Sequence, residues 1–220
     1  MAATIKSPSR LARPHSVFRA HTLSEVFAET ALDAGPSAFV LASLPRHSKP
    51  VLWVQDRLST KEAGDPYLLD VPLLRVQLSR PADVLQAMED GLGCSALGAV
   101  VGEVWGDPHA LGFTATKRLV MRAEASDMPC WLVRRASAPA LSAARNRWRV
   151  TSLPAAAHPD DPRAPGQPRW RAELFRSRMA QPAEWVVRHD RAADRIHFSA
   201  PLRDGALAEG DGTRGQFRAR

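Results

Sequence analysis

LLRVQLSRPADVLQAMEDGLGCSALGAVVGEV, residues 73–104, reads as one strand–helix–strand unit. Its opening residues, 73–78, read as a strand. Ser79 is placed to cap a helix, and Pro81 falls in the first helical turn, where a missing amide N–H costs nothing. Val84, Leu85, Met88 and Leu92 then share one helical face, and Gly93 loosens the helix end. Residues 97–104 are apolar without alternation, as expected of a strand covered on both sides. A strand, a helix and a second strand at these lengths make a parallel unit joined by a crossover helix.

The pattern repeats on either side. Residues 114–126 carry Leu119, Val120 and Ala123 at helical spacing, and Pro129 opens a strand over 130–134. Upstream, PVLWVQD at 50–56 reads as a buried strand, and the apolar run 22–27 as the first strand. Gly35-Pro36 breaks the chain before a helical candidate at 37–44. Residues 57–72, with Gly64, Asp65, Pro66 and Pro72, read as turns. Downstream, segments 148–153, 170–175, 185–189 and 196–200 are short strands. The last three leave no room for helices between them, so they pair antiparallel. The predicted fold class is α/β: a three-layer core with a mostly parallel central sheet and helices on both faces, followed by a C-terminal antiparallel β-meander. Residues 1–20 read as a flexible basic arm, 21–202 as the folded domain and 203–220 as a disordered tail.

With 220 residues and 45% hydrophobic content, the chain suffices for one domain with a substantial core. Its net charge of +7 is uneven: residues 1–20 carry +4, 21–133 carry −5, 134–178 carry +7 and the remainder +1. An acidic core flanked by basic regions suits an anionic partner, whether nucleic acid or an acidic protein surface. Cys94 and Cys130 are too few and too far apart for a disulfide framework or a metal site, and read as two buried reduced thiols. No apolar run reaches the ~18 residues that span a bilayer, and no secretory signal opens the chain. The expected location is cytoplasmic, with no membrane contact.

The predicted fold sets where a catalytic constellation belongs. A phosphate-binding loop after the first strand needs glycines, a lysine and a hydroxyl for magnesium. Residues 28–37, AETALDAGPS, offer one glycine, no lysine, and the repelling carboxylates Glu29 and Asp33. At the end of the inner strand, Gly102 stands where the magnesium-binding aspartate is expected. Glu103, one position on, is expected to point to the other face, as an acid at a strand end held by a loop amide or an arginine. His158, Asp160 and Asp161 lie in a proline-rich loop without further ligands. There is no Gly-x-Ser-x-Gly elbow. No catalytic residue, cofactor site or metal site is predicted, and ATPase activity is not expected. The sequence Arg-Trp-Arg occurs twice, at 147–149 and 169–171. In strands, each tryptophan turns to the core and its two arginines to the opposite face. Arg147, Arg149, Arg169 and Arg171 are therefore the candidate basic interaction surface for phosphates or an acidic partner.

DVLQAMEDGLGCSALGAVVGEVWGDPHAL at 83–111 and TATKRLVMRAEAS at 114–126 closely resemble the ImuA family of bacterial damage-inducible mutagenesis proteins. PVLWVQD at 50–56, RWRV at 147–150, HPDDPRAPGQPRWRAELFRSR at 158–178 and AEWVV at 183–187 extend the resemblance over residues 21–202. It implies a RecA-like core with a degenerate ATP site, related to the SulA cell-division inhibitors. It also implies a role in the SOS response as an accessory of error-prone translesion synthesis. The implied partners are an ImuB-like protein and an error-prone polymerase, with contact to RecA. DNA binding and SulA-like inhibition of division are the alternative readings.

Overall fold

A computed structural model of the protein describes residues 17–44, 49–66, 72–158, 160–161, 163–190 and 195–199. Most of the arm at 1–20 and all of the tail at 203–220 lie outside the described residues. Two residues counted with the arm are packed in the core: Val17 and Phe18 are each 1% exposed.

The described strands are β1 (Leu23–Ala28), β2 (Val51–Asp56), β3 (Leu73–Leu78), β4 (Ala99–Trp105), β5 (Cys130–Arg135), β6 (Asn146–Leu153), β7 (Arg169–Ser177), β8 (Ala183–Asp190) and β9 (Arg195–Ser199). The helices are α1 (Gly35–Ser43), α2 (Arg57–Ala63), α3 (Pro81–Leu92) and α4 (Phe113–Ala125). One sheet contains all nine strands in the order β3-β2-β4-β5-β1-β6-β7-β8-β9. Pairing is parallel from β3 through β6 and antiparallel from β6 through β9. The expected mostly parallel sheet, its flanking helices and the antiparallel continuation are therefore present.

Covering both faces explains why β4 and β5 read as near-continuous apolar runs. β1 and β5 are buried at every position. On one side, α1 packs with Phe18 and five of the six tryptophans, Trp53, Trp131, Trp148, Trp170 and Trp185. Phe39 of α1 meets Trp131 edge-on, with ring centroids 6.2 Å apart at 90°, an arrangement that suits the opposed edge and face charges of aromatic rings. On the other side, Met88 and Leu92 of α3 and Leu119, Val120 and Ala123 of α4 pack on Leu23, Val54, Val100 and Leu132. Gly102 belongs to this packing: a Cβ there would lie 2.1 Å from Met88 Sδ.

Three local expectations change. Residues 57–63, read as turns, form α2: Asp56 Oδ1 accepts a hydrogen bond from Ser59 N at 2.7 Å, capping the helix. The helix buries only Ser59, so it has no apolar stripe to betray it. The N-cap of α3 is Arg80 rather than Ser79 and makes no side-chain cap, although Arg80 pairs with Asp83 at 2.7 Å. Cys130 is buried in β5, but Cys94, in the turn after α3, is exposed.

The link from β5 to β6 is an extended crossover without a helix. Its ten residues, 136–145, can span about 33–36 Å, enough to return along the α3–α4 side. Ser142 Oγ donates to Glu25 at 2.9 Å, Ala143 N donates to Thr116 Oγ1 at 3.0 Å, and Arg145 pairs with Glu124 at 2.6 Å. These contacts seat β6 beside β1 and carry the basic segment onto the sheet.

Candidate functional site at the carboxyl ends of the parallel strands

In open α/β sheets ligands bind beyond the carboxyl ends of the strands, where the strand order reverses. Here that region includes the crook between β1 and α1. A phosphate site there needs backbone N–H groups facing inward. This crook faces carbonyls inward instead: Ala31 O accepts from Arg135 Nη1 at 3.0 Å, and Asp33 O accepts from the same atom at 2.8 Å. Arg135 Nη2 donates to Ser37 Oγ at 2.9 Å. The guanidinium at the end of β5 thus occupies the crook, in a loop whose polarity suits a cation.

Behind it stands Glu103, 1% exposed, which accepts from Arg135 Nε, from Trp53 Nε1 at 3.2 Å and from Gln55 Nε2 at 3.1 Å. Alternation along β4 holds, but it is position 103 and not 102 that faces the crook, the reverse of the expectation. Ala99 and Val101 of β4 pack in the α1 core and Val100 in the α3–α4 core. Glu103 therefore shares the α1 side with the crook, while Gly102 lies under Met88 on the other. The carboxylate is committed to structural donors. Asp56, at the end of β2, is likewise held, accepting from Trp105 N at 2.8 Å through its second oxygen.

The loop's own acids bind it to the sheet. Asp33 accepts from Gly35 N at 2.7 Å and from Ser152 N at 2.8 Å, tying the crook to β6. Glu29 accepts from the Thr151 hydroxyl and from Arg171 Nη2 at 3.0 Å. The Thr151 hydrogen bond, aided by Arg171, holds the Glu29 carboxyl below its ordinary range.

The four candidate arginines project from one side of β6 and β7, with Trp148 and Trp170 on the other. Their environments differ. Arg147 is buried rather than part of a surface: Nε donates to Glu25 Oε2 at 2.7 Å, and its guanidinium carbon lies 5.1 Å from the Phe27 ring centroid and 5.3 Å from that of Phe175. Glu25 also sits 3.9 Å from Arg134, whose Nη2 reaches Asp107 at 2.7 Å. Burial pushes the Arg134 guanidinium below its ordinary pKa, yet an arginine keeps its proton even so. Arg149 pairs with Glu173, and Arg171 with Glu29. These two arginines line a cleft of about 530 Å³ together with Glu29, Glu173 and Glu184, so its charge is mixed. Arg169 forms no ion pair among the described residues and stands directly opposite Arg188 of β8.

The sequence allows an arginine partner for Glu103 but does not single out Arg135, nor the acids Glu25 and Glu173. Adjacent arginines at a strand end gave no sign that one reaches back across the sheet. A lone glutamate among apolar neighbours, as in LSEVFA, was the available signal: a charge buried in a central strand requires a partner. Among the described residues, no group of three His, Cys, Asp or Glu side chains is arranged to hold a metal. His158 Nδ1 accepts from the backbone N–H groups of Asp160 and Asp161, both at 3.2 Å, within its own turn. No described helix is long and apolar enough to cross a membrane.

The same rim exposes apolar side chains. Leu32 in the crook is 66% exposed, Leu58 at the start of α2 51%, Phe113 at the start of α4 44% and Leu141 in the crossover 71%. Thr116 joins the last two segments, donating to Phe113 O at 2.9 Å while accepting from Ala143 N. The rim combines ion-paired side chains with exposed hydrocarbon.

No family model matches the chain. It is 30% identical over 196 residues to Protein ImuA of Caulobacter vibrioides strain NA1000 / CB15N, a match covering 80% of this chain and 77% of that protein. Protein ImuA of Caulobacter vibrioides strain ATCC 19089 / CIP 103742 / CB 15 matches to the same extent. Similarity of that degree, sustained over most of both chains, makes this protein a member of the ImuA family.

Proposed function

We propose that this protein is a non-catalytic accessory of DNA-damage-induced mutagenesis, a RecA-like scaffold that supports error-prone translesion synthesis through protein–protein contacts. Membership of the ImuA family supports the biological setting. The parallel strand order around β1 supports a RecA-like reading of the core. The observation that carries the non-catalytic part is Arg135, whose guanidinium sits among the carbonyls of Ala31 and Asp33. A triphosphate entering there would meet inward carbonyl oxygens and the nearby carboxylates Glu29 and Asp33. The exposed rim of Leu32, Leu58, Phe113 and Leu141 supports docking of another protein at the same end of the sheet.

Partners consistent with the family are an ImuB-like protein, the error-prone polymerase that works with it, and RecA. Light scattering on this chain mixed with an ImuB-like protein tests the scaffold reading. A mass equal to the complex is expected, reduced to that of separate components by Leu32→Ser with Leu141→Ser. Failure of the unaltered proteins to associate overturns it. Calorimetry with ATP and magnesium tests the non-catalytic part: no binding heat is expected, and micromolar affinity would refute it.

A further inference from the structure

The meander continues the sheet past β6, and among the described residues no helix covers its α3–α4 side. Burial alternates along each strand, so Arg169 and Arg171 of β7, Arg188 of β8 and His197 of β9 all face that side. Register makes a row of three of them: Arg169 pairs with Arg188 across β7–β8, and Arg188 with His197 across β8–β9. Arg171 is neutralised by Glu29, and Arg149 by Glu173. Arg169 and Arg188 have no carboxylate within ion-pair distance among the described residues, and Asp190, further along β8, is already engaged. Cβ atoms directly opposite across an antiparallel pair lie ~5 Å apart, and like charges placed there repel. Two guanidinium groups set side by side without a counter-ion form a site for an anion.

We propose that Arg169 and Arg188, with His197 beside them, bind the phosphodiester backbone of single-stranded nucleic acid. Two features of the face favour this partner over an acidic peptide. Val186 of β8, half-buried, is opposite Arg171 on this side, and Phe175 of β7 is already packed on Phe27, Arg147 and Arg149, whereas protein partners rely on buried apolar anchors. Phosphate contact needs only cations and hydrogen-bond donors. Arg188 also lines a cleft of about 780 Å³ against the β6–β7 loop, whose other walls include His158, Pro165, Gln167 and the already engaged Asp190. An unpaired nucleotide beside a bound phosphate has room there; a duplex would keep its bases stacked away from it. These residues lie outside the apolar rim, so nucleic-acid binding and protein docking can fail separately.

The test is fluorescence anisotropy of a labelled single-stranded oligonucleotide with the full chain at several salt concentrations. Each phosphate contact to a single strand contributes about 0.7 to the log–log salt slope. Arg169→Ala with Arg188→Ala should therefore lower the slope by about 1.4, making affinity about sevenfold less sensitive to salt between 50 and 200 mM. Removing the same charge elsewhere, by Arg75→Ala with Lys117→Ala, should leave the slope within 0.3 of the parent, and a duplex of equal length should bind more weakly. Protection of Arg169 and Arg188 from phenylglyoxal by the oligonucleotide gives a readout on the unaltered protein, should the variant not fold. An unchanged slope, an equal loss in the control, or absence of protection overturns the proposal. So does a polyglutamate peptide that binds through these arginines when the oligonucleotide does not.

Discussion

Replacing Arg135 with methionine separates a structural plug from a vacant site. The guanidinium donates to Glu103, to the carbonyls of Ala31 and Asp33 and to Ser37 Oγ. Both ionic partners are buried, with side chains 3% and 2% exposed. Removing one member strands the other: Glu103 keeps only the Trp53 and Gln55 donors, in a site from which water is excluded. Breaking a buried pair in this way costs about 3–5 kcal/mol, and the loop carbonyls also lose their donor. For a domain of this size, each kcal/mol lowers the melting temperature by about 2–4 °C, so a fall of roughly 6–20 °C is expected. Arg135→Met with Glu103→Met removes both charges, and most of the loss should return, since a buried pair exchanged for apolar groups of similar volume is often neutral. Urea denaturation of the parent, both single variants and the double variant closes the cycle. A single variant within about 1 kcal/mol of the parent, or a double variant no better than the singles, would refute the plug.

Gly102→Ala should destabilise the protein by about 1–3 kcal/mol through overpacking against Met88 Sδ; Met88→Ala in the same chain should relieve the clash, as urea midpoints will show. Glu124 has its carboxyl held below the ordinary 4.5 by hydrogen bonding to Arg145, as Glu29 has by Thr151. A depressed folded-state pKa contributes stability that is present above the unfolded value and lost as pH falls through the folded value. Stability should therefore decline below about pH 4.5, and Glu124→Gln with Glu29→Gln should flatten that decline in pH-dependent urea titrations. Cys94 should react with a thiol reagent in the native state, whereas Cys130, buried and with its thiol pushed well above the ordinary range, should react only in denaturant. Equal native reactivity of the two cysteines would contradict the placement of β5 in the core.

The elements that declared themselves in the sequence are those that bury a periodic apolar face. α3 and α4 did so through Val84, Met88, Leu119 and Val120, and β4 and β5 through continuous apolar runs. α2 did not, because its start depends on one capping carboxylate and it buries one serine. The tryptophan of each Arg-Trp-Arg triplet turned inward as alternation required, since a strand has a two-residue period wherever it pairs. What each arginine does once it faces the other way was not legible, because its partner lies far away along the chain.

Local chemistry, then, set the nine described strands, the helices α1, α3 and α4, and the residues at 28–37 that lack a phosphate-loop pattern, all of which depend on neighbours within a few positions; the connection lengths set parallel against antiparallel pairing. Tertiary structure decided how charge is spent. It set Arg135 into the crook from 102 residues away, buried Arg147 on Glu25, neutralised Arg149 and Arg171, and left Arg169 facing Arg188. Coulomb interactions fall off with distance in space and are strengthened by exclusion of water, and neither quantity exists until the sheet has brought β1, β5, β6, β7 and β8 together.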